Sequence, residues 1–310
     1  MTVPTVDLRL AEAIELGCAL VQELADVRGI RVLFIKGPTL HLQGLRAERP
    51  SADVDVLVDP AGVDELVAAL TDRGWHRRPS TFLDARRPTH SITLVHDAWP
   101  CDLDVHTHYP GFLADPSAVF DTLWQRRAPV AFAHRACAVP DRVGNALILG
   151  LHSLRGNPSH ARPADELDQL AAASFTDDER LEAAALARAT GSVVTLAPVL
   201  TRMGVTAVPS PSEAVAPGVT EWRGRLEAGS QPAYFWLLVL RRSGRRERAV
   251  IIGRAIWPTR SDLLLAHPEG RDTVVGRTRL RAARWGRGLR ALPSFVGAAV
   301  RSRRSPRTDP

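Results

Sequence analysis

Two short stretches of this chain concentrate side chains that do chemistry. In Ala52-Asp-Val-Asp-Val-Leu-Val58 polar and apolar residues alternate. Successive side chains of a strand point to opposite faces, so Asp53 and Asp55 project together while Val54, Val56 and Val58 face a core. Adjacent carboxylates repel unless a cation lies between them, which makes the pair a ligand set for a hard divalent ion, Mg²⁺ or alternatively Mn²⁺. A second run, Cys101 to His108, puts Asp102, Asp104, His106 and His108 on one face and Leu103, Val105 and Thr107 on the other. If the two strands are neighbours in a sheet, Asp53, Asp55 and one of Asp102 or Asp104 hold one or two metal ions. That arrangement neutralises a triphosphate and activates an attacking oxygen. His106 and His108 with the nearby acids also admit a zinc-dependent hydrolase, since imidazole suits zinc.

A third feature is the single lysine: of 40 basic residues, 39 are Arg and only Lys36 is Lys. A compact ammonium and a planar guanidinium are not interchangeable at a phosphate site. Lys36 follows the β-rich run Arg31-Val-Leu-Phe-Ile35 and precedes Gly37-Pro38, with Pro38 where a first helical residue would stand. A strand, a glycine turn and a helix start offer phosphate oxygens a point charge and backbone N–H groups.

The elements that position these residues read as follows. Residues 7–28 carry helical periodicity closed by Gly29, a helix follows from Thr39, and Asp59-Pro60 opens another over Val63 to Arg73, ended by Gly74. Ser91 to His96 and Cys101 to His108 are strand candidates. From Pro140 the pattern turns helical, over 141–154, 163–173 and 176–189, the last with Thr176 as N-cap. The Pro/Ser/Ala-rich 206–219 reads as a linker or long loop, and Gln231 to Trp257 as a basic amphipathic helix. The expected organisation is a catalytic domain over 1–139, a helical domain over 140–205, the linker, a basic helical region over 220–300 and a disordered tail over 301–310.

Composition bounds the rest. The chain has 310 residues, 45% hydrophobic and 24% charged, which excludes a disordered, collagen-like or disulfide-stapled protein. No apolar stretch approaches the roughly 20 residues of a membrane-spanning helix, so the sequence predicts a cytoplasmic protein. Three widely spaced cysteines, Cys18, Cys101 and Cys137, provide neither a disulfide framework nor a four-cysteine zinc site. The formal charge of +6 is uneven: residues 241–310 hold 18 Arg against five acids. Such a segment fits a nucleic-acid backbone, an anionic membrane surface, or the acidic remainder of the chain.

Phe34-Ile-Lys-Gly37, Arg49, Asp53-Val-Asp-Val-Leu-Val58, Gly74-Trp75, His90 and Asp104-Val-His106 together resemble the uncharacterised nucleotidyltransferase family of the DNA polymerase beta-like superfamily. The resemblance continues more weakly through His152, the Arg162 to Leu170 segment and Arg254 to Pro258. It implies an α/β (α+β) fold with a mixed-sheet polymerase-beta-like core followed by a mainly helical C-terminal region. It implies Asp53, Asp55 and Asp104 as catalytic metal ligands with Lys36 and Gly37 in the nucleotide-binding turn; Arg49 is a further nucleotide-binding candidate, and Asp102, on the face of Asp104, with His106, His90 and His152 are accessory candidates. The partners it implies are a nucleoside triphosphate and an acceptor, whether small molecule, peptide or protein. Where the superfamily has Gly-Ser, this chain has Lys36-Gly37-Pro38, and proline offers neither an N–H nor a hydroxyl. That departure, with the Arg-rich C-terminus, motivates the alternative of an inactive relative acting as a nucleic-acid or membrane-surface binding module.

Overall fold

The computed structural model describes residues 8–86, 89–156, 161–228, 239–240 and 242–304. They form two compact units, Met1–Arg78 with His90–Gly229, and Pro79–Thr89 with Ser230–Pro310.

The first unit is mixed α/β. Helix α1 (Leu10–Arg28) ends on Gly29, whose φ of 66° is the left-handed conformation that glycine adopts without a Cβ penalty. Strand β1 (Val32–Phe34), the single-turn α2 (Thr39–Leu42) and strand β2 (Asp53–Val58) follow. Asp59 then accepts a hydrogen bond from the Ala61 N–H in a 3₁₀ turn before α3 (Val63–Thr71). The short β3 (His76–Arg77), β4 (Ser91–Val95) and β5 (Asp102–His106) complete a five-stranded sheet in the order β1-β2-β5-β4-β3. Only β2 and β5 run parallel; the other neighbours are antiparallel.

Alternation along the strands sorts the core into two layers. Val54, Val56, Val58, Leu103 and Val105 pack on Ile14, Cys18 and Val21 of α1 and Leu66 and Leu70 of α3. Leu33, Ile35 and Leu57 join the second cluster with Leu147 and Leu151 of α5 (Arg142–Leu154) and Leu196 and Val199 of α8 (Val193–Arg202). Asp53 and Asp55, on the strand face of Leu57, therefore belong to the side that meets the helical layer. All three cysteines are buried free thiols. Burial raises each thiol pKa, to about 11 for Cys101 and Cys137, which keeps them in the unreactive protonated form.

The sequence reading missed several elements, the helices over 116–125 and 193–202 among them, and most notably a hairpin. After α4 (Pro116–Gln125), strands β6 (Arg127–Phe132) and β7 (Arg135–Pro140) form a separate hairpin. Its two-residue turn, Ala133-His134, has positive φ at both positions, 44° and 65°. The turn geometry is the one hairpins favour, but without the Asn-Gly or Asp-Gly that signals it. His76–Arg77, which the sequence reading does not assign to a strand, forms the edge strand β3.

Helices α6 (Ala161–Ala172) and α7 (Asp177–Ala189) lie between α5 and α8 in sequence, and the short α9 (Pro211–Ala214) and α10 (Pro217–Ala228) occupy much of the stretch read as linker. Thr176 caps α7 reciprocally with Glu179, which also meets Arg142 at 2.7 Å. Burial alone would raise the Glu179 pKa, but the Thr176 N–H and Arg142 outweigh it and hold the carboxyl below its usual range. The resulting stability is complete above the unfolded-state value near 4.3 and is lost as pH falls through the folded-state value. Glu179→Gln is expected to lower stability by about 1–2 kcal/mol at neutral pH. In urea melts the gap to wild type closes as the carboxyl protonates.

In the second unit α11 (Arg245–Ile256), α12 (Arg260–Ala266) and α13 (Val274–Arg304) gather around residues 79–86. The Phe82 N–H donates to Asp262 at 2.8 Å, and Arg86 and Arg254 stack on the Phe82 ring. Trp285 donates its indole N–H to the Ile256 carbonyl at 2.7 Å. The expected amphipathic helix over 231–257 falls partly on residues outside those described, as does most of the expected tail; residues 301–304 are the last turn of α13. Among the described residues no helix is long and apolar enough to cross a membrane.

Candidate active site

The parallel pairing of β2 and β5 fixes the site. Its register sets Asp53 opposite Asp102, Asp55 opposite Asp104 and Leu57 opposite His106. Neighbouring strands lie about 4.8 Å apart, so the paired acids stand side by side on one face. Donor atoms of Asp55, Asp104 and His106 all fall within 4.8 Å of one another, a grouping that can hold a metal ion. Each is positioned differently. Asp104 is half-buried and accepts a hydrogen bond from Thr93, its partner on β4, at 2.5 Å. Asp55 is buried, and one of its oxygens, Oδ1, lies 2.7 Å from His106 Nε2 and 2.5 Å from Lys36 Nζ.

Electrostatics follow from that crowding. Burial would raise the Asp55 pKa, but the His106 hydrogen bond and the Lys36 charge together pull it down to about 2. Asp53 goes the other way: burial, then the negative charge of Asp55, push its carboxyl up. Burial disfavours charge on Lys36, yet Tyr109 and Asp55 more than offset it and keep the ammonium protonated. Lys36 and Gly37 both take positive φ, 59° and 54°. A left-handed lysine is uncommon. Here the turn aims its side chain at Asp55, and the two residues line a narrow cleft with Pro38, Thr39, Asp53 and Asp55, closed on its apolar side by Ile14, Phe34 and Phe132.

The remaining sequence-predicted residues separate into neighbours and bystanders. Asp53 lines the cleft but stands outside the Asp55–Asp104–His106 group, while Asp102 is tied to Arg78 at the sheet's exposed end. His90 stacks beside His106 with ring centroids 5.4 Å apart; burial and the Arg155 charge lower its pKa to about 2, so the ring is neutral. His152, on the last turn of α5, is lowered to about 3 by burial and then by Lys36. His108 is outside the metal-capable group, which leaves the two-histidine zinc arrangement without support. Arg49 pairs with Glu166 of α6. Sequence reasoning did not single out Thr93, Tyr109 or Glu166. Tyr109 is fully buried against His106 and under Arg155, and its signal, a tyrosine three residues beyond a strand of ligands, is indistinguishable from ordinary core.

Two carboxylates and an imidazole suit a divalent cation: oxygen donors favour Mg²⁺ and Mn²⁺, and the nitrogen shifts the set toward the softer members of the series. The hydrogen bond to the Asp55 carboxylate places a proton on His106 Nε2, and the buried Nδ1, which makes no hydrogen bond among the described residues, is the ring nitrogen with a free lone pair.

A family model described as "Uncharacterised nucleotidyltransferase" matches residues 11–209. No curated protein matches the chain. Among solved structures it is similar to the antibiotic-resistance factor ANT(2'')-Ia, at 11% identity over 56% of this chain and 90% of that one, with a TM-score of 0.38. The lincosamide antibiotic adenylyltransferase LnuA, solved with lincomycin, gives 14% identity, 56% and 94% coverage and a TM-score of 0.31. An antigenic nucleotidyltransferase-like protein from Paracoccidioides brasiliensis gives 12% identity, 76% and 95% coverage and a TM-score of 0.36. Likeness this low leaves the assignment to the family match. That match spans well over half of the chain, including the sheet, the Lys36–Gly37 turn and the acids of β2 and β5, and so the chain belongs to the uncharacterised nucleotidyltransferase family.

Proposed function

We propose that the protein transfers a nucleoside monophosphate from a nucleoside triphosphate to an acceptor, releasing pyrophosphate, in a reaction that depends on a divalent metal. The observation that carries this reading is the β2–β5 register, which gathers Asp55, Asp104 and His106 beside the Lys36–Gly37 turn. Asp55 and Asp104 would hold the ion, with His106 as a third donor and Asp53 lining the same cleft. Bound there, Mg²⁺ or Mn²⁺ would stabilise charge developing on the α-phosphate and acidify the attacking group.

The chain's own residues supply the rest. Lys36 places an ammonium where phosphate oxygens meet the carboxylates, and Gly37 opens the backbone next to it. Pro38 removes one N–H from the turn, so the ammonium carries more of the phosphate contact than a Gly-Ser turn would require of a side chain. The cleft itself encloses only about 10 Å³, room for one water-sized group. The proposed reading therefore lays the nucleotide across the mouth of the cleft. The acceptor, whether small molecule, peptide or protein, is a hydroxyl or phosphate that attacks in line with the departing pyrophosphate.

Incubation of the purified chain with α-labelled nucleoside triphosphates, Mg²⁺ or Mn²⁺ and a panel of acceptors tests the proposal. Label transfer with stoichiometric pyrophosphate, abolished by a chelator and restored by the ion, is the expected result. Failure to bind any of the four triphosphates with either ion would overturn it.

A further inference from the structure

Next to the Lys36–Gly37 turn lies a second charged cluster, of which only Arg49 is a nucleotide-binding candidate from the sequence. Arg46, Arg49 and Arg162 all converge on one oxygen of Glu166, its Oε1. Arg46 NH1 is at 3.7 Å, Arg162 Nε at 3.8 Å, and Arg49 makes a direct ion pair. The other oxygen of Glu166 accepts from Ser153 at 2.6 Å. The cluster is built into the fold: Gln169 on the same helix accepts from the Ala47 N–H at 2.7 Å, and Arg46 donates to the Gly37 carbonyl at 2.9 Å.

The charge balance is uneven. One carboxylate neutralises one guanidinium, whereas three meet here, and the Arg46 side chain is only 5% exposed. The Nε atoms of Arg46 and Arg49 are buried and make no hydrogen bond among the described residues. Concentrating like charge away from water is costly unless an anion shares the site. The exposure is graded: Arg162 is 67% exposed and Arg49 26%, while Glu166 is 2% exposed behind them. An anion approaching from solvent would meet guanidinium forks first and the carboxylate last.

Resting on the nucleotidyltransferase reading, we infer that Arg46, Arg49 and Arg162 form the subsite for the β- and γ-phosphates of the triphosphate, with Glu166 as a built-in counter-ion that holds the guanidiniums in place. Planar forks match phosphate oxygens bidentately, and a polyphosphate carries the several negative charges that balance three of them. The contact of Arg46 with the Gly37 carbonyl ties this subsite to the turn beside Asp55. The departing pyrophosphate thus sits on the arginines while the α-phosphate faces the acids of β2 and β5.

Calorimetric titration of the full chain with inorganic tripolyphosphate, without nucleotide or metal, isolates the subsite. Wild type is expected to bind it in preference to citrate, a carboxylate anion of similar charge. The exposed Arg162→Gln variant, and Arg49→Gln, should each weaken binding by about tenfold. Glu166→Gln should melt at lower temperature than wild type yet gain more thermal protection from tripolyphosphate, because the guanidiniums have lost their internal partner. A cluster that only joins α6 to the sheet side predicts that the Glu166→Gln loss is not recovered by the anion. Absence of tripolyphosphate binding in both wild type and Glu166→Gln, equal binding of citrate, or binding unaltered in Arg162→Gln and Arg49→Gln would overturn the subsite. If label still passes from triphosphate to acceptor in those circumstances, the subsite falls and the transfer reaction stands.

Discussion

Asp104→Asn is expected to lower nucleotidyl transfer by at least about a thousandfold while leaving the melting temperature nearly unchanged. The residue is half-buried, makes no ion pair among the described residues, and is fixed by one hydrogen bond from Thr93 that an asparagine carbonyl can still accept. The substitution therefore removes a negative charge and little else. Its register partner is Asp55, so the lost charge is half of the carboxylate pair that would hold the ion. Two controls sharpen the test. Asp102→Asn, one step along the same face, breaks only an exposed pair with Arg78 and should change activity and stability little, since such pairs contribute about 0–1 kcal/mol. Thr93→Val leaves the carboxylate charged but loosely aimed, and an intermediate loss of about tenfold in rate is expected. Label transfer and thermal melts on the three variants check the ordering; Asp104→Asn with near-normal rate would remove Asp104 from the site.

Much of this site was legible from residue types and spacing because strands have a period of two. Asp53-x-Asp55 and Asp102-x-Asp104-x-His106 announce shared faces regardless of context, and the strict alternation of the intervening apolar residues says which side is core. What spacing cannot convey is register. Whether Asp55 meets Asp104 or Asp102 depends on a register difference of two residues between β2 and β5, and the register adopted gives the metal-capable group as Asp55, Asp104 and His106 with Asp53 alongside. Long-range ion pairs were equally hidden. Glu166 lies 117 residues from Arg49, and nothing local distinguishes it from the solvent-facing acids of a helix such as Asp165. The hairpin of β6 and β7 escaped for the opposite reason, a local one: Ala133-His134 adopts the turn conformation without the glycine or asparagine that advertises it.

The pairing of Lys36 with Asp55 should dominate the stability of the turn. Both side chains are buried, 13% and 4% exposed, and they meet at 2.5 Å. Removing one partner of such a pair leaves a charge in a poorly solvated place, so Lys36→Met and Asp55→Asn are each expected to cost about 3–5 kcal/mol. The double variant leaves no orphaned charge and should lose clearly less than the sum; a double-mutant cycle in urea measures that shortfall. Asp55 also receives His106, so after Lys36→Met it keeps one partner, whereas Lys36 after Asp55→Asn keeps none of comparable strength; Asp55→Asn should therefore be the more damaging of the two. A third substitution separates backbone from charge. Lys36 holds φ at 59°, which costs an L-residue about 1–2 kcal/mol that glycine does not incur. Lys36→Gly should thus be more stable than Lys36→Met by about 1 kcal/mol, through relief of the backbone, while matching it in lost triphosphate binding. Backbone relief of this size offsets only part of what the lost pair with Asp55 costs. The pair with Asp55 holds the lysine in this strained conformation, and the proposed function gives its ammonium a phosphate as a second partner; equal triphosphate binding by Lys36→Gly and wild type would refute that second role.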